Sequence, residues 1–208
     1  EDHNAYYVID EVKAGLGRTG ETFAHQHDDA EPDAIMLGKP LGSGIPISAV
    51  VGRKELVDFE PASHMMTTAG GPMSVAAAHA TLDVLEEEDL AAQAKKKGKY
   101  LSKLLNGIKE NNEHIGDVRG KGMMQGVELL NSEGKFSQKF AAKTCYRARE
   151  LGLLVFYVGL DSNVLEITPP IIISKDELKK GCEILEKTIN DVAAGKVTDK
   201  DIERYAGW

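Results

Sequence analysis

Three short apolar runs crowd into the first 53 residues: YYVIDEV at 6–12, DAIMLGK at 33–39 and ISAVVGR at 47–53. Each is rich in aliphatic and aromatic side chains without polar alternation, which is the pattern of a strand buried on both faces. Strands of that kind need a sheet and helices to cover it. The residues ahead of them are too few to supply either. The chain therefore reads as part of a larger α/β architecture.

Helical periodicity takes over after the third run. Val75, Ala76, Leu82, Val84 and Leu85 mark a largely apolar helix from Met73 to Glu88. Leu90, Ala94, Leu101, Leu104, Leu105 and Ile108 line one face of an amphipathic helix behind it. From about Ile115 the texture becomes α+β. DVRGKGMMQGVELL reads as a glycine-broken strand or hairpin, and SQKFAAKTCYRARELG as a helix stopped by Gly152. LLVFYV and NVLEITPP are short strands, and SKDELKKGCEILEKTINDVAAG is a helix opened by a capping box of Ser174 and Glu177. A boundary falls between about 85 and 115, separating a larger α/β portion (1–100) from a small α+β domain (101–208).

A net charge of −8 argues against a nucleic-acid surface. The one basic run, AKKKGKY, sits in a helical stretch and reads as a solvated helix face. No apolar segment reaches the roughly 18 residues that span a bilayer, and no signal-peptide pattern opens the chain. Cys145 and Cys182 lack metal spacing and read as buried thiols of a reducing compartment, so a cytoplasmic location is expected.

GLGRTG (15–20) has the spacing of a dinucleotide fingerprint, but ETFAHQHDD follows it where an apolar helix should stand. HQHDD gathers His25, His27, Asp28 and Asp29 at adjacent positions of a polar loop, which suits solvated side chains rather than a metal. VIDEV is more informative. It places Asp10 and Glu11 at a strand end, where open α/β sheets hold ligands, although a helix cap or a surface salt bridge explains them equally well. Lys39 closes the next strand, before glycines that allow close approach of a ligand. A partly desolvated lysine there can form a Schiff base with a carbonyl, whereas a lone one would simply snorkel to water. Thr67 and Thr68 precede a Gly-Gly-Pro turn that opens a helix, a place suited to phosphate. Asp10, Lys39 and Thr67 together supply what pyridoxal 5'-phosphate requires: an acid for the ring nitrogen, an amine for the aldehyde and a hydroxyl for the phosphate.

IDEVKAGLGRTGETFA, PDAIMLGKPLGSGIPISAVVGRKEL and TTAGGPMSVAAAHATLDVLEEE resemble, in this order, the central motifs of class III (4-aminobutyrate-type) aminotransferases. IGDVRGKGMMQGVEL and NVLEITPP resemble that family's small carboxy-terminal domain. The resemblance implies an α/β fold, namely part of a fold type I pyridoxal-phosphate transferase large domain followed by a small α+β domain. By position, Asp10 matches the partner of the pyridine nitrogen, Val12 the residue packed on the ring, and Lys39 the lysine of the internal aldimine. Thr67 matches the threonine that binds phosphate in the neighbouring subunit, which implies a homodimer with shared active sites. Lys13 stands where the family often has a glutamine near the cofactor's phenolic oxygen, and Glu166 stands where it commonly has an arginine for the substrate carboxylate. The family's preceding segments have no counterpart here, so the chain looks like the carboxy-terminal half of a subunit.

The wording of TTAGGPMSVAAAHATLDVLE is most similar to the amino-acid racemase and isoleucine 2-epimerase branch. The expected activity is transfer of an amino group from an amino acid to a 2-oxo acid. Racemisation or 2-epimerisation by the same cofactor is the alternative. A catalytically incomplete chain with a structural or self-association role is the third reading.

Overall fold

A computed structural model describes residues 5–28, 31–58 and 60–204. The chain forms two compact units, Glu1–Lys95 and Lys96–Trp208.

The first unit carries a three-stranded sheet of β1 (Val8–Asp10), β2 (Ala34–Leu37) and β3 (Ala49–Gly52), with β2 in the centre. β1 runs parallel to β2 and pairs Val8 with Ala34 and Asp10 with Met36. β3 runs antiparallel to β2 and pairs Leu37 with Ala49. Two helices follow, α1 (Lys54–Val57) and α2 (Pro72–Glu87), before α3 (Leu90–Lys109) begins. Leu16, Ile35, Leu37, Leu41 and Ala78 form the core, with Ile9, Phe23, Ile47, Ala49 and Leu85 packed around it.

Burial on both faces, expected of all three strands, holds only for β2. Val8, Val50 and Val51 are each about half exposed. The physical reason is the edge position of β1 and β3, whereas β2 has a strand on each side. The GLGRTG segment is a run of turns with no helix behind it. Gly17 has φ +84°, and a Cβ there would stand 2.9 Å from the Leu85 side chain. That glycine serves a tight loop packed on α2, so a dinucleotide fingerprint is ruled out by context.

The second unit holds the rest of α3 and four antiparallel strands: β4 (Ile115–Lys121), β5 (Met124–Leu129), β6 (Phe156–Val158) and β7 (Val164–Ile167). Their order is β4-β5-β7-β6, so β7 inserts between β5 and the edge strand β6. α4 (Gln138–Glu150), α5 (Lys175–Ala193) and α6 (Asp199–Ile202) complete it. The period-2 alternation of strands sorts the sheet's two faces. Val118, Val127, Leu165 and Tyr157 form one row across the four strands, with Val127 and Leu165 fully buried. Arg119, Gly126, Glu166 and Phe156 form the next row, on the opposite face.

The α5 capping box is present: Ser174 N donates to Glu177 Oε2 at 2.9 Å, and Glu177 N donates to Ser174 Oγ at 3.2 Å. Leu178, Cys182, Leu185, Ile189 and Val192 are all buried, as their four-and-three spacing requires. Gly152, with φ +89°, stands just past the end of α4 in the left-handed conformation expected of a helix stop. On α3, Gly98 lies directly against the backbone of Gly122 in the β4–β5 hairpin, leaving no room for a Cβ. Lys97 of the basic run donates to Ile171 O at 2.7 Å, so this lysine is tied into the fold and not merely solvated.

Candidate active site

The parallel register of β1 and β2 brings two chemically useful strand ends side by side. Asp10 ends β1 opposite Met36, three residues before Lys39. Adjacent strands lie about 4.8 Å apart, so the chain leaves both at one edge of the sheet. Asp10 is exposed, and its Oδ1 accepts a hydrogen bond from Val12 N at 2.9 Å. That bond folds the chain into a tight turn and directs the half-buried Val12 toward the β2 end. A Cβ on Gly38 would lie 3.2 Å from Val12 Cγ1, so Val12 packs directly on the residue before Lys39.

Lys39 opens a 3-10 turn, Lys39–Gly42, immediately behind β2. Its φ of +36° falls in the left-handed region, where a residue with a Cβ is strained by about 1–2 kcal/mol. The turn is pinned by Leu41, which is buried in the core, and by α2 packing against it. Lys39 itself is exposed, whereas the sequence predicts a partly desolvated amine. Among the described residues, neither the Lys39 amine nor Asp10 Oδ2 has a hydrogen-bond partner. A strand-end acid and a strained lysine with uncommitted polar atoms thus share one edge, beside an apolar side chain.

The other predicted residues are more scattered. Lys13 is half-buried in the turn after Val12. Thr67 and Thr68 are exposed ahead of α2, and no hydrogen bond ties either to Asp10, Val12 or Lys39. Glu166 belongs to the second unit, half-buried on β7 with Gly126 and Phe156 beside it. Cys182 is buried and Cys145 half-buried, both as free thiols. Burial pushes the Cys145 thiol up to about 12 and, with Glu183 nearby, that of Cys182 to about 11.

The histidines correct the expectation of solvated side chains. Nδ1 of His25 lies 3.1 Å from Glu11 Oε1, and Nε2 of His27 lies 3.2 Å from both the carbonyl and the hydroxyl oxygen of Thr19. Asp28 is exposed, and Asp29 lies outside the described residues. Glu11 also separates from Asp10 in role. Its side chain is sealed from water and accepts hydrogen bonds from Ala24 N and His25 N, each at 2.8 Å. In the sequence it is indistinguishable from Asp10. Its one signal was an acid next to an acid at a strand end, two charges that cannot both face the same ligand cheaply.

The arrangement can hold an electron-poor heteroaromatic ring: a carboxylate for a protonated ring nitrogen, an aliphatic face for the ring, and an amine that can condense with an aldehyde. Residues 1–189 match the family described as Aminotransferase class-III. The leucine/methionine racemase of Thermococcus litoralis is 44% identical over 100% of this chain and 47% of that protein. The isoleucine 2-epimerase of Lentilactobacillus buchneri is 36% identical, over 100% and 46%. An ornithine aminotransferase of Exiguobacterium sp. is 37% identical, over 93% and 46%. Among solved structures, the acetylornithine aminotransferase from Elizabethkingia anophelis aligns with a TM-score of 0.80 at 33% identity, covering 91% of this chain and 49% of that one. The chain belongs to the class III aminotransferase family, and its two-sheet α/β architecture is the fold type I arrangement that the motifs imply. It spans about half the length of the curated relatives it matches.

Proposed function

We propose that this chain supplies the lysine-bearing part of a pyridoxal-phosphate enzyme that moves an amino group from an amino acid to a 2-oxo acid. The observation that carries the reading is the pairing of Asp10 with Met36, which sets a carboxylate with one unpartnered oxygen, Oδ2, at the sheet edge from which Lys39 emerges. The first unit is then the carboxy-terminal part of the cofactor-binding large domain and the second the small domain, with the boundary near residue 100.

Each residue has a distinct task under this reading. Asp10 holds a proton at the ring nitrogen, Val12 packs on the ring face, and Lys39 anchors the cofactor's aldehyde carbon through its amine. Thr67 and Thr68 hold phosphate, Thr67 that of a neighbouring subunit's cofactor. Lys13 lies beside the ring's phenolic oxygen. Glu166 takes the position of the family's carboxylate-binding arginine and, being an acid, favours a cationic or amide group over a second carboxylate. When bound, the cofactor supplies an electron sink for the pair left on the substrate carbon. Lys39, released from the anchor, takes the proton from that carbon as a general base. We place the enzyme in the cytoplasm, because its two free thiols suit a reducing compartment, and read it as a homodimer, because the role given to Thr67 needs a second subunit.

A second reading has its own support: the relatives at 44% and 36% identity named above are a racemase and an epimerase. Racemisation differs only in where the proton returns, to the opposite face of the same carbon, and it needs a second acid.

The test is titration with pyridoxal 5'-phosphate, followed by borohydride and peptide mapping. Label confined to Lys39, and absent from a Lys39→Ala variant, is the expected result. Label scattered over surface lysines would refute the assignment and leave a chain with only a structural role. A single-enantiomer amino acid then separates the activities, because a transaminase releases its 2-oxo acid and a racemase its mirror image.

A further inference from the structure

Among the described residues of the first unit, Glu11 is the buried carboxylate, with 1% of its surface exposed. Burying a carboxylate is costly unless hydrogen bonds replace its water. Here three donors do so: Ala24 N, His25 N and His25 Nδ1, at 2.8, 2.8 and 3.1 Å. The backbone of Glu11 is equally committed. Its N–H donates to Met36 O at 2.9 Å, and its carbonyl accepts from Gly15 N at 3.0 Å. Gly15 fits only because it lacks a side chain, since a Cβ there would stand 2.9 Å from that carbonyl. Glu11 therefore ties together the end of β2, the glycine loop and the Ala24–His25 segment.

Its position in the chain gives those ties a second meaning. Asp10 and Val12 flank it and are joined to each other by the Val12 N–H to Asp10 Oδ1 bond. Glu11 points into the protein while Asp10 remains exposed. We propose that Glu11 is a positioning residue: its buried carboxylate fixes the Asp10–Val12 turn against the β2 end, so that Asp10 and Val12 meet the cofactor beside Lys39. The inference rests on the reading above, in which those three residues face the cofactor.

The experiment compares the chain with its Glu11→Gln variant in two readouts. Glutamine keeps the shape but turns an amino group toward a backbone donor, which leaves one buried N–H unpaired. Amide hydrogen exchange without cofactor is expected to speed up about tenfold at Ala24 and His25 and, as the diagnostic sign, severalfold at Val12. Half-saturation by pyridoxal 5'-phosphate, read as borohydride-fixed label on Lys39, is expected to rise about tenfold. Faster exchange at Ala24 and His25 with Val12 exchange and Lys39 labelling unchanged would overturn the proposal and leave Glu11 a plain structural anchor. If the unsubstituted chain does not label at Lys39, the functional reading fails on its own, and Val12 exchange alone decides the positioning role. If Glu11→Gln does not fold, His25→Ala removes only the side-chain donor. It should still raise Val12 exchange, and no change there would overturn the proposal.

Discussion

Replacing Asp191 with asparagine should unfold the second unit early, and the size of the effect follows from its neighbours. The Asp191 side chain is 6% exposed at the end of α5 and accepts four charge-assisted hydrogen bonds. Lys196 Nζ lies at 2.6 Å, Arg147 Nη2 at 2.8 Å, Arg147 Nε at 3.0 Å and Lys187 Nζ at 3.1 Å. Lys187 and Lys196 are more than half exposed, so their amines return to water and contribute about 0–1 kcal/mol each. Arg147 is different. Its half-buried guanidinium on α4 donates two nitrogens to one carboxylate oxygen, and without Asp191 it would keep only the more exposed Glu150 carboxylate, 2.9 Å from Nη1. Breaking such a pair one-sidedly costs a few kcal/mol, so Asp191→Asn should destabilise by about 3 kcal/mol. For a unit of this size that is a fall of roughly 10–15 °C in Tm, read by thermal unfolding or by urea with exchange at the α5 amides. The cations around Asp191, with Lys196 and Arg147 foremost, hold its carboxyl well below the usual 3.8. A depressed folded-state value means the contribution is complete above that usual value and disappears as the pH falls through the folded one. The stability gap between the two proteins should be flat from about pH 5 to 8 and close only well below the ordinary aspartate range. A gap under about 1 kcal/mol, or one that begins to close near pH 6, would refute this account of α4–α5 docking.

Other perturbations test separate parts of the structure. Lys39→Gly should abolish labelling by pyridoxal 5'-phosphate while raising stability by about 0.5 kcal/mol, because it removes a left-handed Cβ at some cost in chain entropy; urea unfolding checks the second half. Gly98→Ala should cost at least about 3 kcal/mol, since its methyl would enter the Gly122 backbone, and neighbouring side chains cannot yield there. Leu105→Ala, at a position 1% exposed in α3, should cost about 2–5 kcal/mol by the same measurement. With the Cys145 thiol pushed up to about 12, alkylation at pH 8 should run at least about a hundredfold slower than for a free thiol, as timed by mass spectrometry, and should reach that rate only on unfolding.

Much of the local structure was legible before any coordinates. Ser174 and Glu177 announced the start of α5 because a capping box is made within four residues, and Gly152 announced the end of α4 for the same reason. The four-and-three spacing of Leu178 to Val192 identified a buried helix face. Lys39 could be placed behind a strand because an apolar run followed by Gly-Lys-Pro must turn, and the strand does end at Leu37.

Other features depended on residues far apart in the chain. The insertion of β7 between β5 and β6 follows from packing and hydrogen-bond pairing among segments up to about 40 residues apart, which no local pattern encodes. Arg147 and Asp191 meet across 44 positions, and each alone reads as an ordinary helix-surface charge. Glu11 and Asp10 look alike as neighbouring acids. Only the return of Ala24 and His25, 13 and 14 residues onward, makes one of them an internal anchor and leaves the other at the sheet edge. Short-range periodicity and ordered motifs were enough for the long helices, for the capping box of α5 and for the family. Tertiary structure decided which carboxylate is buried, which strands are edges and which charges are shared, because burial and hydrogen-bond partners belong to the folded arrangement and not to any single stretch of chain.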